Sequence, residues 1–215
     1  MHFLCIKSLI NMINIAVFAS GNGSNAENII RYFKENGEIR VALVLSNKKN
    51  AYVHTRAKNL GVPSYTFSKE EFDKGDPVLQ KLQEYRIDFI VLAGFLLKVP
   101  EPILKAYPQR IVNIHPALLP KYGGKGMYGD QVHKAVIQAG EKESGITIHW
   151  VNEHYDEGEI IFQARCPVLP SDTPEELAQR IHKLEYEYYP QIIEKIAKRV
   201  CGGFDEKTSN SNNKL

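Results

Sequence analysis

The strongest constraint on the fold is a rhythm. Short apolar runs of strand length recur through the first half of the chain, with helical or turn-forming stretches between them. Residues 14–19 (NIAVFA), 39–45, 62–67, 88–93 (DFIVLA) and 111–115 have the length and aliphatic content of buried strands. Residues 25–36 put Ala26, Ile29, Ile30 and Phe33 on one helical stripe, ended by Asn36-Gly37. Residues 52–60 read as a short helix stopped by Gly61, Ser68 caps the next turn, and Pro77 opens a helix to Tyr85. Strands apolar along their whole length need cover on both faces, so the pattern implies a parallel sheet with helices on two sides.

The rhythm changes after a helix at 128–139. Residues 147–151 and 160–168 read as strands joined by NEHYDEGE, a connection too short for a crossover and therefore an antiparallel hairpin. Thr173-Pro174-Glu175-Glu176 is a capping box with proline at the first helical position; a long helix should follow, broken or kinked at Pro190. The expected fold is α/β: an open, doubly wound, mostly parallel sheet with a C-terminal antiparallel hairpin and a long terminal helix. One domain over 12–200 accounts for the pattern. Residues 1–11 read as an extension with Met12 as the true start; they are not taken for a signal peptide, because residues 13–19 are needed as the first strand. The polar stretch 201–215 reads as a disordered tail.

Net charge is +2, from 27 basic and 25 acidic residues, which gives no general attraction to nucleic acid or membrane. Three scattered cysteines without a C-x-x-C argue against a disulfide framework or zinc ribbon and for a reducing cytoplasm. His115, His133, His149 and His154 have no recognised metal spacing.

Two constellations carry chemistry. SGNGSNA at 20–26 joins the first strand to the first helix and fits G-x-G-x-x-A, the turn used for dinucleotides. A dinucleotide site also wants an acid at the end of the second strand, where this chain has SNKKN; Lys48 and Lys49 leave only NADP as a candidate. Ser20, Asn22, Ser24 and Asn25 give the loop a polarity better suited to one phosphate monoester. A tight turn holding no ligand is the alternative. The second constellation is NIHPALLP at 113–120. Asn113 and His115 are two apart at a strand's carboxyl end, so both face the side where open sheets hold ligands. They offer an amide donor and a titratable imidazole, and a carboxylate from the hairpin turn would raise the pKa of His115.

NIAVFASGNGSN, VLAGFLLKVP, IVNIHPALLPKYGGKGMYG and GITIHWVNEHYDEGEIIFQA, in this order, resemble the phosphoribosylglycinamide formyltransferase family over about residues 13–195. The resemblance implies transfer of a formyl group from 10-formyltetrahydrofolate to glycinamide ribonucleotide, by a monomer or homodimer acting on small molecules, with no metal and no NAD(P). Asn113, His115 and Asp156 match the catalytic trio. Gly23, Ser24 and Asn25 match the loop that holds the ribonucleotide phosphate, and Glu185 an acid that contacts its sugar. Leu96, Leu97, Lys98 and Val99 match the pterin-lining segment, with Asn113 beside it; Lys69 is the candidate basic contact to folate, and His149 a supporting residue. Many members carry arginine after A-G-F, where this chain has Leu97 and Lys98. A sister family, formyltetrahydrofolate hydrolase, has a second histidine where Pro116 stands and an additional regulatory domain. Methionyl-tRNA formyltransferase needs a further RNA-binding domain, for which the residues past Pro190 leave no room. A non-catalytic NADP-binding module rests on SNKK and G-x-G-x-x-A alone.

Overall fold

The computed structural model describes residues 12–202; the extension assigned to 1–11 and the tail from 203 onward lie outside the described residues. Seven strands form one sheet: β1 (Ile13–Phe18), β2 (Ile39–Ser46), β3 (Ser64–Thr66), β4 (Phe89–Leu92), β5 (Ile111–His115), β6 (Glu143–Trp150) and β7 (Ile160–Pro167). Their spatial order is β3-β2-β1-β4-β5-β6-β7. The first five pair in parallel, whereas β5 with β6 and β6 with β7 are antiparallel. Seven helices pack on the sheet: α1 (Ser24–Phe33), α2 (Val53–Asn59), α3 (Lys69–Lys74), α4 (Asp76–Glu84), α5 (Glu101–Ala106), α6 (Asp130–Gln138) and α7 (Pro174–Cys201).

Side-chain alternation along β1 divides the core in two. Ile15 and Val17 pack with Ile29 of α1 and Ile181, Tyr189 and Ile193 of α7. Ala16 and Phe18 pack on the opposite face with Phe72 of α3, Leu82 of α4 and Ile103 of α5. Full burial of β1 on both faces is what an unbroken apolar run requires.

Three local expectations change. Helix α5 was not anticipated; only Ile103 is buried along its six residues, too few to set up a helical stripe. Strand β6 starts at Glu143, before the expected residue 147. Ser144 and Gly145 hide its start, yet glycine is required there: a Cβ on Gly145 would lie 2.0 Å from the Ala164 carbonyl oxygen of β7. Helix α7 runs unbroken through Pro190. Proline removes the N–H that would bond the Tyr186 carbonyl, and Asn28 of α1 supplies the replacement, its Nδ2–H donating to that oxygen at 2.9 Å.

This substitution also ties α1 to α7. The Tyr189 hydroxyl then pins α7 to the carboxyl end of β4 by donating to the Leu92 carbonyl at 2.8 Å. Glu185, one turn earlier, is carried to the same end of the sheet. The chain winds outward from β1 through β2 to β3, then returns to β4 on the other side of β1. The loops after β1 and β4 therefore diverge, and a crevice opens between them at the switch in strand order.

Candidate active site

A cleft of about 660 Å3 occupies this crevice. Its walls are the loop after β1, the segment 92–99 after β4, the end of β5, the loop 124–129 and the β6–β7 turn.

The first wall is built for an anion. Gly23 precedes α1 with φ +75°, and a Cβ there would lie 2.4 Å from Val53 Cγ2, so backbone conformation and packing both demand glycine. No side chain caps α1. Its leading N–H groups are left to the cleft, where helix N-termini receive phosphates. Asn25 Nδ2–H donates to Glu185 Oε2 at 2.9 Å, and His182 Nδ1 meets the same oxygen at 2.9 Å. Asn25 Oδ1 is buried without a partner, as is Nδ1 of His133, which lines the same cleft.

The second wall holds the polar cluster. Antiparallel pairing sets Asn113 opposite His149 and His115 opposite Thr147. Asn113 Nδ2 lies 3.1 Å from His149 Nε2 and 3.4 Å from Asp156 Oδ1. His149 Nδ1 is held by the Trp150 carbonyl at 2.9 Å, which turns Nε2 inward. His115 Nε2–H donates to the Tyr122 carbonyl at 2.7 Å; Nδ1 is left facing Asp156 Oδ2 at 3.5 Å. The backbone N–H of Gly124 donates to that same carboxylate oxygen at 2.9 Å. Asp156 reaches in from a turn with φ +57°, a conformation asparagine and aspartate tolerate better than most residues.

Burial opposes the charge on Asp156, but His149, His115 and the Gly124 N–H outweigh it and hold the carboxyl below the usual aspartate range. His115 feels the expected upward pull of a hairpin carboxylate, but a larger effect opposes it. Its side chain is 4% exposed, and burial pushes its pKa below that of an ordinary imidazole despite the opposing pull of Asp156 and the Tyr122 carbonyl. Burial thus disfavours the imidazolium in the resting site, and Nδ1 faces Asp156 without a short hydrogen bond. That arrangement suits accepting a proton at Nδ1 and pairing the resulting charge with Asp156. The Asn113 amide, with one long contact at 3.4 Å, has a donor to give to a developing negative oxygen.

Gly23, Ser24, Asn25, Leu96, Leu97, Lys98, Val99, Asn113, His115, Asp156 and Glu185 all line this one cleft. Lys69 does not. It opens α3, and its exposed ammonium pairs with Asp73 one turn on. Sequence reasoning missed His133, His182 and the main-chain groups of Tyr122 and Gly124. Their only sequence signal was proximity to quoted motifs, because an imidazole on a helix carries no mark of what lies across from it. Among the described residues no group of three or more His, Cys, Asp or Glu is placed to hold a metal ion, and no helix is long and apolar enough to cross a membrane.

Comparison with known proteins gives this geometry a context. Residues 13–193 match the formyl transferase family. The chain is 42% identical over 187 residues to a chloroplastic phosphoribosylglycinamide formyltransferase of Arabidopsis thaliana, an alignment covering 83% of this chain and 63% of that protein. It thus spans less than two thirds of that relative. It is 37% identical over 190 residues to phosphoribosylglycinamide formyltransferase of Bacillus subtilis, covering 86% of this chain and 95% of the other. The crystal structure of the Streptococcus pneumoniae phosphoribosylglycinamide formyltransferase superposes with a TM-score of 0.76 at 41% identity, over 86% of this chain and 99% of that one.

Proposed function

The chain belongs to the formyl transferase family, and from that membership we propose that it transfers the formyl group of 10-formyltetrahydrofolate to the amine of glycinamide ribonucleotide, a step of purine biosynthesis. The observation that carries the reading is the convergence on one cleft of an uncapped helix N-terminus and the Asn113–His115–Asp156 cluster. The ribonucleotide phosphate sits on the amides of Gly23, Ser24 and Asn25, and its sugar faces Glu185. The pterin lies along residues 96–99. Lys69 lies outside the cleft, and this reading assigns it no contact with the pterin.

The glycinamide amine attacks the formyl carbon, and a tetrahedral intermediate with a negative oxygen forms. Asn113 donates to that oxygen. His115 Nδ1 takes the proton leaving the amine, Asp156 stabilises the imidazolium so formed, and the proton is then passed to the departing folate nitrogen. Holding both substrates in one crevice removes the entropy of their encounter. In this reading the transfer needs neither a metal nor a nicotinamide cofactor, and a monomer or homodimer in the cytoplasm performs it.

The test is a direct assay of formyl transfer with both substrates, on the wild-type chain and His115→Ala. The substitution should lower turnover by roughly 10²–10⁴-fold while ribonucleotide binding persists. No transfer by the wild type, or near-normal turnover in the variant, would sink the proposal.

A further inference from the structure

A residue beside the phosphate loop has the wrong sign for its neighbourhood. Glu27 lies in the first turn of α1, and its backbone N–H donates to the Gly23 carbonyl at 2.9 Å. A carboxylate there suits the helix dipole by itself. It also opposes any second anion received by the same helix end.

Two arginines meet that carboxylate. Arg31, one turn along α1, reaches Oε1 at 2.7 Å, but its side chain is 62% exposed and such a pair contributes little. Arg56, from α2, is different: it is 25% exposed and its Nη1 meets Oε2 of Glu27. The rest of its guanidinium is fixed on the loop. Nε donates to the Asn22 carbonyl at 2.9 Å, Nη2 donates to Asn22 Oδ1 at 2.6 Å, and the group lies 4.9 Å from the centre of the Tyr52 ring. Asn22 lines the cleft immediately before Gly23. Resting on the reading that this loop holds the ribonucleotide phosphate, we infer that Arg56 is a positioning residue for that phosphate: clamped to Asn22, it cancels the charge of Glu27 at the helix end where the anion docks. In agreement with this placement, Arg31 and Arg56 hold the Glu27 carboxyl below its usual range.

The arrangement separates two jobs. The main-chain N–H groups bind the anion, and Arg56 removes the local repulsion without touching the reacting atoms. Loss of Arg56 should therefore act on substrate binding, through the phosphate alone, and removing Glu27 should undo the loss. A role confined to supporting loop shape would show neither property.

The experiment measures KM and kcat for glycinamide ribonucleotide, and affinity for the dephosphorylated riboside, in wild type, Arg56→Met, Glu27→Gln and the double variant. Thermal melting checks that each is folded. Arg56→Met should raise KM for the ribonucleotide about tenfold, equivalent to about 1.4 kcal/mol, with kcat and riboside affinity unchanged. The increase should be larger at low ionic strength. Glu27→Gln should recover most of it in the double variant, and alone should tighten ribonucleotide binding. If Arg56→Met weakens ribonucleotide and riboside equally, or Glu27→Gln gives no recovery, the shielding role is overturned. Should Arg56→Met prove unstable, Glu27→Gln alone decides, because unchanged or weaker ribonucleotide binding in it overturns the role as well. Wild type that binds ribonucleotide and riboside alike overturns the phosphate reading of the loop itself, and the role of Arg56 with it.

Discussion

Asp156→Asn tests the site at its centre. Asparagine keeps the shape of the side chain, keeps an oxygen for the Gly124 N–H, and tolerates the φ of +57° at this position. What it removes is the charge 3.5 Å from His115 Nδ1. At that separation and an effective dielectric of about 20, the attraction between carboxylate and imidazolium has a ceiling of about 5 kcal/mol. Asp156 is desolvated and keeps other partners, so roughly half of that ceiling is taken as the loss on reaching the transition state. The expected fall in kcat is about 100-fold, since each ~1.4 kcal/mol is a factor of ten. The ribonucleotide KM should change little, because the loop proposed to hold its phosphate forms the opposite wall.

The pH profile gives the sign. Asp156 raises the pKa of His115 while burial lowers it, and burial prevails. Activity through a neutral His115 is present above the His115 pKa and is lost as pH falls through it, below the ordinary imidazole value. Removing the charge of Asp156 takes away the largest pull opposing burial, so the acid limb should move to lower pH. Steady-state rates across the acidic and neutral range, with both substrates saturating, read both quantities. An unchanged kcat, or an acid limb displaced to higher pH, would refute the pairing of Asp156 with a protonated His115.

Further outcomes follow from single contacts. Asn28→Ala should destabilise the protein by about 1 kcal/mol by leaving the Tyr186 carbonyl to solvent; in a Pro190→Ala background, where a helical N–H is restored, the same change should cost measurably less in denaturant titrations. Gly158→Ala should cost more than about 2 kcal/mol and abolish most activity, because a Cβ there would lie 1.7 Å from the Trp150 carbonyl oxygen and force the turn carrying Asp156 to move. Lys69→Ala should leave KM for the folate substrate within about twofold of wild type, since Lys69 stands outside the cleft on an exposed pair with Asp73.

The apolar run of residues 14–19 and its glycine turn made the parallel sheet legible, because a strand buried on both faces has one common solution. The i, i+2 spacing of Asn113 and His115 made their shared direction legible, because strand geometry has a period of two. Local patterning failed where the deciding group is distant. Pro190 ought to break a helix, yet α7 continues through it, and Asn28, remote in sequence, serves the orphaned carbonyl. The start of β6 was hidden by Gly145, whose missing side chain makes room for the backbone of β7. Lys69 is a candidate by family resemblance alone, and α3 places it outside the cleft lining on an exposed pair with Asp73.

The same division runs through the site. Residue types and their spacing along the chain determined which chemistry was on offer: a helix end for a phosphate, an amide, an imidazole and a carboxylate. Only the tertiary structure decided that His149, from the facing strand, joins Asn113, and that Glu185 meets Asn25. It also decided the direction in which the pKa of His115 moves. Charge can be counted along a sequence, but desolvation depends on everything packed around the ring, and at His115 that burial outweighs the carboxylate beside it.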